Sequence, residues 1–87
     1  MNDDTTMRTQ IRQVISDHAR LSVAISDLGD GGDLFGAGMS SHASVNVMLA
    51  LEESFGVEFP EALIRKSTFG SVAAIEAALL ELGGVPA

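Results

Sequence analysis

Apolar residues recur along the chain at helical spacing in three places. Met7, Ile11, Val14 and Ile15 form the first stripe, with His18 at its edge and Arg8, Arg12, Asp17 and Arg20 largely outside it. The pattern predicts a helix that ends near Ala19 or Arg20, with Asp4, Thr5 or Thr6 as candidate caps at its start. His18 then reads as a helix-end histidine with no chemical duty. A second helix is expected from Ser40 or Ser41 to Phe55 or Gly56, because Val47, Met48, Leu51 and Phe55 gather on one face, with Ser44 falling there too. The last helix carries Val72, Ile75, Leu79 and Leu82, with Ser71 as its N-cap and Gly83-Gly84 at its end.

Between these helices the pattern weakens. In the long connection of residues 21–40, Leu21, Val23, Ile25 and Leu28 alternate with smaller or polar residues, but no second strand exists to pair with them. The expectation is an extended loop pinned by those apolar side chains. Gly56 suits a helix end, and Pro60 suits the first turn of a short helix through Ala62, Leu63 and Ile64, ending around Lys66. Ser67-Thr68-Phe69-Gly70 follows as a turn, and Val85-Pro86-Ala87 as a tail. The fold class is therefore all-α: a four-helix bundle of three longer helices and one short one, with a long loop between the first two. No internal repeat or second domain is evident, so residues 1–87 read as a single domain ordered over about 5–82.

The second helix is unusual on its outer face. Val45, Leu49 and His42 fall opposite the core stripe, with Ala43, Asn46, Ala50 and Glu53 around them. A small-domain helix is ordinarily polar there. An apolar strip beside a loop tip points to a binding surface.

Composition narrows what could bind. The net charge of −7 disfavours nucleic acid, whose non-specific affinity rests on Lys and Arg, and favours basic partners. With no cysteine, disulfides, thiolate metal sites and a thiol nucleophile are all excluded. No apolar run approaches the roughly 18 residues of a membrane span. The acidic, polar start Met1-Asn2-Asp3-Asp4-Thr5-Thr6 has no targeting character, so a cytoplasmic location is expected.

Candidate chemistry is sparse. Asp27-Leu28-Gly29-Asp30-Gly31-Gly32-Asp33 fails as a calcium loop, because Gly29, Gly31 and Gly38 occupy ligand positions. It also fails as a P-loop, for want of a following Gly-Lys-Ser/Thr, and its residues read as turn formers. Ser41 and His42 are neighbours that diverge on a helix, as are Glu52 and Glu53, so neither pair makes an acid–base couple. Two distant histidines offer a poor metal site. The chain is not read as an enzyme. What remains is a serine at the positive end of a helix, a place suited to a phosphate ester. Alternatively, Ser40 and Ser41 are N-caps and nothing more.

Gly38-Met39-Ser40-Ser41-His42 resembles the attachment motif of the acyl and peptidyl carrier proteins, Gly-x-Asp-Ser-Leu. Leu51-Glu52-Glu53, Phe55 and Phe59-Pro60 stand at that family's spacing from the serine, and Asp33-Leu34-Phe35 precedes it much as in peptidyl carriers. The resemblance implies a four-helix carrier fold, covalent 4′-phosphopantetheine on Ser41, and modification by a phosphopantetheinyl transferase. The sequence departs from the family at Ser40 and His42, which replace the aspartate and leucine around the serine, and at Ala43 and Asn46, where fatty-acid carriers place acidic docking residues. Gly38–Val45 together with Arg65-Lys66-Ser67-Thr68-Phe69 resembles the bacterial aminoacyl carrier proteins. Their loading partners are amino acid:[carrier protein] ligases related to class II seryl-tRNA synthetases, which activate glycine or alanine. The implied docking residues are Ser40, His42, Ala43, Val45, Asn46 and Leu49, on a monomer that passes its cargo to an acceptor the sequence does not name. An acyl or peptidyl carrier of a lipid or secondary-metabolite pathway, and an unmodified helical interaction module, are the competing readings.

Overall fold

The computed structural model of the protein describes residues 3–84, with side chains from residue 6 onward. The expected tail at 85–87 lies outside the described residues. Three α-helices carry the fold: α1 (Asp3–His18), α2 (Ser41–Phe55) and α3 (Val72–Glu81). Among the described residues there is no strand.

The helices bury most of the stripe positions that their sequence spacing defines. Met7, Ile11, Val14 and Ile15 of α1 meet Val47, Leu51 and Phe55 of α2 and Val72, Ile75 and Leu79 of α3 in one core. Fully burying each large apolar side chain contributes roughly 1.5–3 kcal/mol, so this cluster holds the three helices together. α1 is already helical at Asp3, which places Asp4, Thr5 and Thr6 inside its first turns instead of at a cap. At its other end Arg20 takes the left-handed conformation (φ 55°) that lets the chain turn away. α2 closes on Gly56 in the same conformation (φ 65°), as its position after Phe55 predicted.

The long connection is pinned differently from expectation. Leu21, Ile25 and Leu28 pack on the core only in part, and Val23 is 43% exposed. Leu34 and Met39 are the buried anchors. Polar ties do the rest: the Arg12 guanidinium donates to the carbonyls of Ile25 (3.0 Å) and Leu28 (2.9 Å) and to Asp30 Oδ1 (2.6 Å). The Asp30 carbonyl accepts from Ala73 N at the start of α3 (2.8 Å). Arg8 spans Glu76 of α3 (3.0 Å) and Asp30 (3.5 Å).

The expected short helix is replaced by two 3-10 turns, Glu61–Leu63 and Lys66–Phe69. Between them Ile64 leaves the helical region (ψ 78°) and Arg65 is extended (φ −151°, ψ 160°). The reason is non-local. Phe59 and Phe69 are both buried with ring centroids 5.2 Å apart. A continuous helix across that interval would carry the chain about 15 Å forward and could not return the second ring to the first.

Candidate functional site

The site begins with a glycine. Gly38 has φ 112°, and a Cβ there would stand 3.1 Å from Ser22 N, so no other residue fits without displacement. Ser22 ties this loop tip down through its backbone N (2.9 Å) and its hydroxyl (2.8 Å), both donating to the Ala37 carbonyl. Leu34 N donates to the Gly70 carbonyl (2.9 Å), joining the loop to the segment before α3. The chain then delivers two serines with different duties. Ser40 is the N-cap: its backbone is extended and its Oγ accepts from Ala43 N at 3.0 Å. Ser41 is the first helical residue, exposed, and its hydroxyl has no hydrogen-bond partner among the described residues.

Beside Ser41 lies a cleft of about 210 Å³ between α2 and the two 3-10 turns. Phe35, Val45, Met48, Ile64 and Phe69 make it apolar, while Ser44, Arg65 and Lys66 line it with polar groups. The Ser44 hydroxyl donates to the Ser41 carbonyl (2.6 Å), so its polar atom is already engaged. The Lys66 ammonium sits 5.0 Å from the centre of the Phe35 ring. On the other flank of α2 a shallower groove of about 470 Å³ runs along α1, where Asn46, Leu49 and Glu53 face Gln13 and Asp17.

The expected docking residues divide accordingly. Ser40, Ser41, His42 and Asn46 are exposed, and Val45 and Leu49 are exposed by 46% and 53%. Val45 lines the cleft beside Ser41; Asn46 and Leu49 line the groove along α1. Ala43 is the correction: expected on the outer face, it is buried to 4% exposure. The buried ridge of α2 is Ala43, Val47, Leu51 and Phe55, a strict four-residue spacing that rotates the core face toward Ala43 and away from Ser44 and Met48. Glu52 is engaged within the fold, because its Oε2 accepts from Phe59 N (2.8 Å). The pattern did not disclose Arg65, Lys66, Ile64 and Phe69 as lining a cleft. The local signals were a basic pair in a chain of net charge −7 and the resemblance of residues 65–69 to the aminoacyl carriers.

No helix among the described residues is long and apolar enough to cross a membrane, and no group of three or more potential ligands there could hold a metal ion. The phosphopantetheine attachment site family matches residues 9–79, from within α1, through all of α2, to within α3. The chain belongs to that family of carrier proteins. Membership brings a covalently attached 4′-phosphopantetheine as its cofactor. An aminoacyl carrier protein from Agrobacterium fabrum is 40% identical over 70 residues, covering 80% of this chain and 84% of the relative. The carrier fold also superposes on a crystal structure of an engineered Bradyrhizobium japonicum glycine:[carrier protein] ligase complexed with carrier protein from Agrobacterium tumefaciens and ATP. There the TM-score is 0.84 at 37% identity, over 86% of this chain and 97% of the matched one. A solution structure from Agrobacterium tumefaciens matches with a TM-score of 0.67 at 36% identity, over 85% and 93% of the two chains.

The residues at the start of α2 fit such a group. An exposed, unpartnered hydroxyl stands at the positive end of a fifteen-residue helix, where a phosphate ester is electrostatically favoured. Ser40 takes the Ala43 N–H for itself, so the donors left to a phosphate on Ser41 belong to the first two helical residues.

Proposed function

We propose that this carrier protein is an aminoacyl carrier, with 4′-phosphopantetheine attached through a phosphodiester to Ser41 and glycine or alanine as cargo. The observation that carries the choice of serine is the division of labour at the start of α2. Ser40 holds the cap, while the Ser41 hydroxyl is exposed and unengaged. The aminoacyl reading is supported by the Agrobacterium fabrum relative and by the carrier protein seen with a glycine:[carrier protein] ligase. When attached, the group supplies a terminal thiol that holds the amino acid as a thioester. That chemistry belongs to the cofactor and the partner enzymes, and the chain itself is not an enzyme.

The residues of the chain act by position. The loop from Gly38 to Ser40 holds Ser41 outward, and α2 offers Val45 and Leu49 as apolar contacts framed by Ser40, His42 and Asn46. Tethering then replaces free diffusion with a high effective concentration at a partner's active site. The partners in this reading are a phosphopantetheinyl transferase, an ATP-dependent amino acid:[carrier protein] ligase resembling class II seryl-tRNA synthetases, and a downstream acceptor. The chain acts as a single carrier domain, cytoplasmic and monomeric. A carrier of acyl or peptidyl groups is the second reading, favoured by the apolar walls of the cleft beside Ser41.

Co-expression with a phosphopantetheinyl transferase followed by intact-mass measurement tests the attachment. The wild type gains the mass of the arm and Ser41→Ala does not; a gain that persists in Ser41→Ala overturns the assignment. Incubation of the modified protein with ATP, single amino acids and a glycine:[carrier protein] ligase tests the cargo. Ready loading by fatty acyl groups with none by glycine or alanine defeats the aminoacyl reading.

A further inference from the structure

The five basic residues of this acidic chain are used in two ways. Arg8 and Arg12 are bound to carboxylates at 3.0 Å and 2.6 Å. Arg65 and Lys66 have no carboxylate partner among the described residues, although the chain carries twelve acidic side chains. Both line the cleft that Ser41 also lines. Arg20, the fifth, lies apart from it, in a hollow with Leu21 and Ile25. Of the three cations without a carboxylate partner among the described residues, Arg65 and Lys66 are adjacent and share their cleft with an exposed hydroxyl, a setting that suits an anion.

We propose that Arg65 and Lys66 form an anion-binding lip on the cleft beside Ser41, and that they hold the phosphodiester of the chain's own prosthetic arm against the protein. This rests on Ser41 being the attachment point. Esterification turns a neutral hydroxyl on the cleft wall into a permanently charged group, and Arg65 and Lys66 are the cations that share that cleft. Their backbone is fixed for the task. Arg65 is extended between the two 3-10 turns, its carbonyl accepts from Thr68 N (3.1 Å), and Thr68 and Phe69 behind it are buried. Lys66 is steered by the Phe35 ring 5.0 Å away, which orients the ammonium without neutralising it. The cleft floor of Phe35, Met48, Ile64 and Phe69 is apolar, matching the dimethyl-substituted carbon skeleton that follows the phosphate in pantetheine. The root of the arm is thus docked while its thiol end ranges. Because the lip is exposed, the docking is modest and sensitive to salt.

The test is a two-dimensional amide NMR comparison of apo and modified protein, with intact mass confirming modification. Attachment shifts the amides of Phe35 and of residues 64–69 in addition to those of residues 41–44. The added shifts shrink when salt is raised from about 0.05 M to about 0.5 M, as expected for exposed charges. They are lost in the Arg65→Gln/Lys66→Gln variant and retained in the charge-preserving Arg65→Lys/Lys66→Arg variant, each shown to be folded by its apo spectrum. Shifts confined to residues 41–44 in the modified wild type overturn the lip, and that spectrum decides without any variant. Persistence of the added shifts in the neutral variant overturns it as well. A wild type that gains no mass refutes the Ser41 assignment instead, which keeps the two failures distinct.

Discussion

Two regions of this small protein use the same kinds of residue to opposite ends. Around the long connection, Arg8 and Arg12 are satisfied by Glu76, Asp30 and two backbone carbonyls, and the loop is bound to α1 and α3 at once. Around Ser41, Arg65 and Lys66 have no carboxylate partner and the serine hydroxyl has no hydrogen bond among the described residues. Buried or half-buried polar groups that are fully paired rigidify a fold, whereas unpaired ones at a surface are open to a ligand. The first region therefore holds the scaffold still so that the second can remain available. The serines show the same split within one turn: Ser40 is spent on the cap and Ser41 is free.

The sharpest way to locate the border between the regions is at Ala43, one residue beyond His42. Ala43→Glu places an unpaired charge in the core and is expected to destabilise by on the order of 3 kcal/mol. Asn46→Glu, one turn on and exposed, is expected to stay within about 0.5 kcal/mol of wild type. Urea denaturation of both variants checks this, and equal losses would erase the distinction between the two faces of α2. Next in size is the bound region itself. Arg12→Met keeps the apolar stem but leaves the Ile25 and Leu28 carbonyls without their donor, at a cost of about 1–2 kcal/mol. The same variant should still be modified at Ser41, so that the scaffold and the site separate in one pair of measurements. Ser40→Ala is smaller, about 1 kcal/mol for a lost N-cap. It should also leave modification intact, in contrast to the complete loss in Ser41→Ala.

Much of this could be read before any coordinates. The stripes of α1, α2 and α3, the Gly56 stop and the Ser71 cap are local patterns, and the structure keeps them within a residue or two. Ser41 was singled out by the resemblance of the frame from Gly38 to Phe55 to carrier proteins; periodicity alone left Ser40 and Ser41 as cap candidates. What escaped was non-local or chemically quiet. Arg8 and Glu76 are 68 positions apart and Arg12 and Asp30 are 18 apart, distances over which no periodicity connects charges. The break in the expected short helix follows from Phe59 and Phe69 meeting across it. Ala43 was misplaced because a single methyl carries little hydropathy signal, while Met48 carries much and is only half-buried. Arg65 and Lys66 became meaningful only when the folded segment put them beside Ser41.

The smallest effect sharpens the comparison through pH. The Asp30 carboxyl is held below its ordinary value of 3.8, chiefly by its hydrogen bond from Arg12 and further by the charges of Arg12 and Arg8. A carboxylate whose pKa is depressed on folding contributes stability that is fully present above its unfolded value and is lost as pH falls through the folded one. The window therefore lies below 3.8, and Asp30 contributes no pH dependence near neutrality. The Asp30 side chain is 41% exposed, so salt also weakens the contribution. Asp30→Asn keeps an acceptor for Arg12 but has nothing to titrate. Melting temperatures of the two proteins between about pH 5 and pH 2 should therefore differ most at the upper end and converge as the acid limit is approached. A constant offset across that range would mean that the Arg12–Asp30 contact holds the loop by shape and hydrogen bonding alone, and the bound region would then owe nothing to charge at this position.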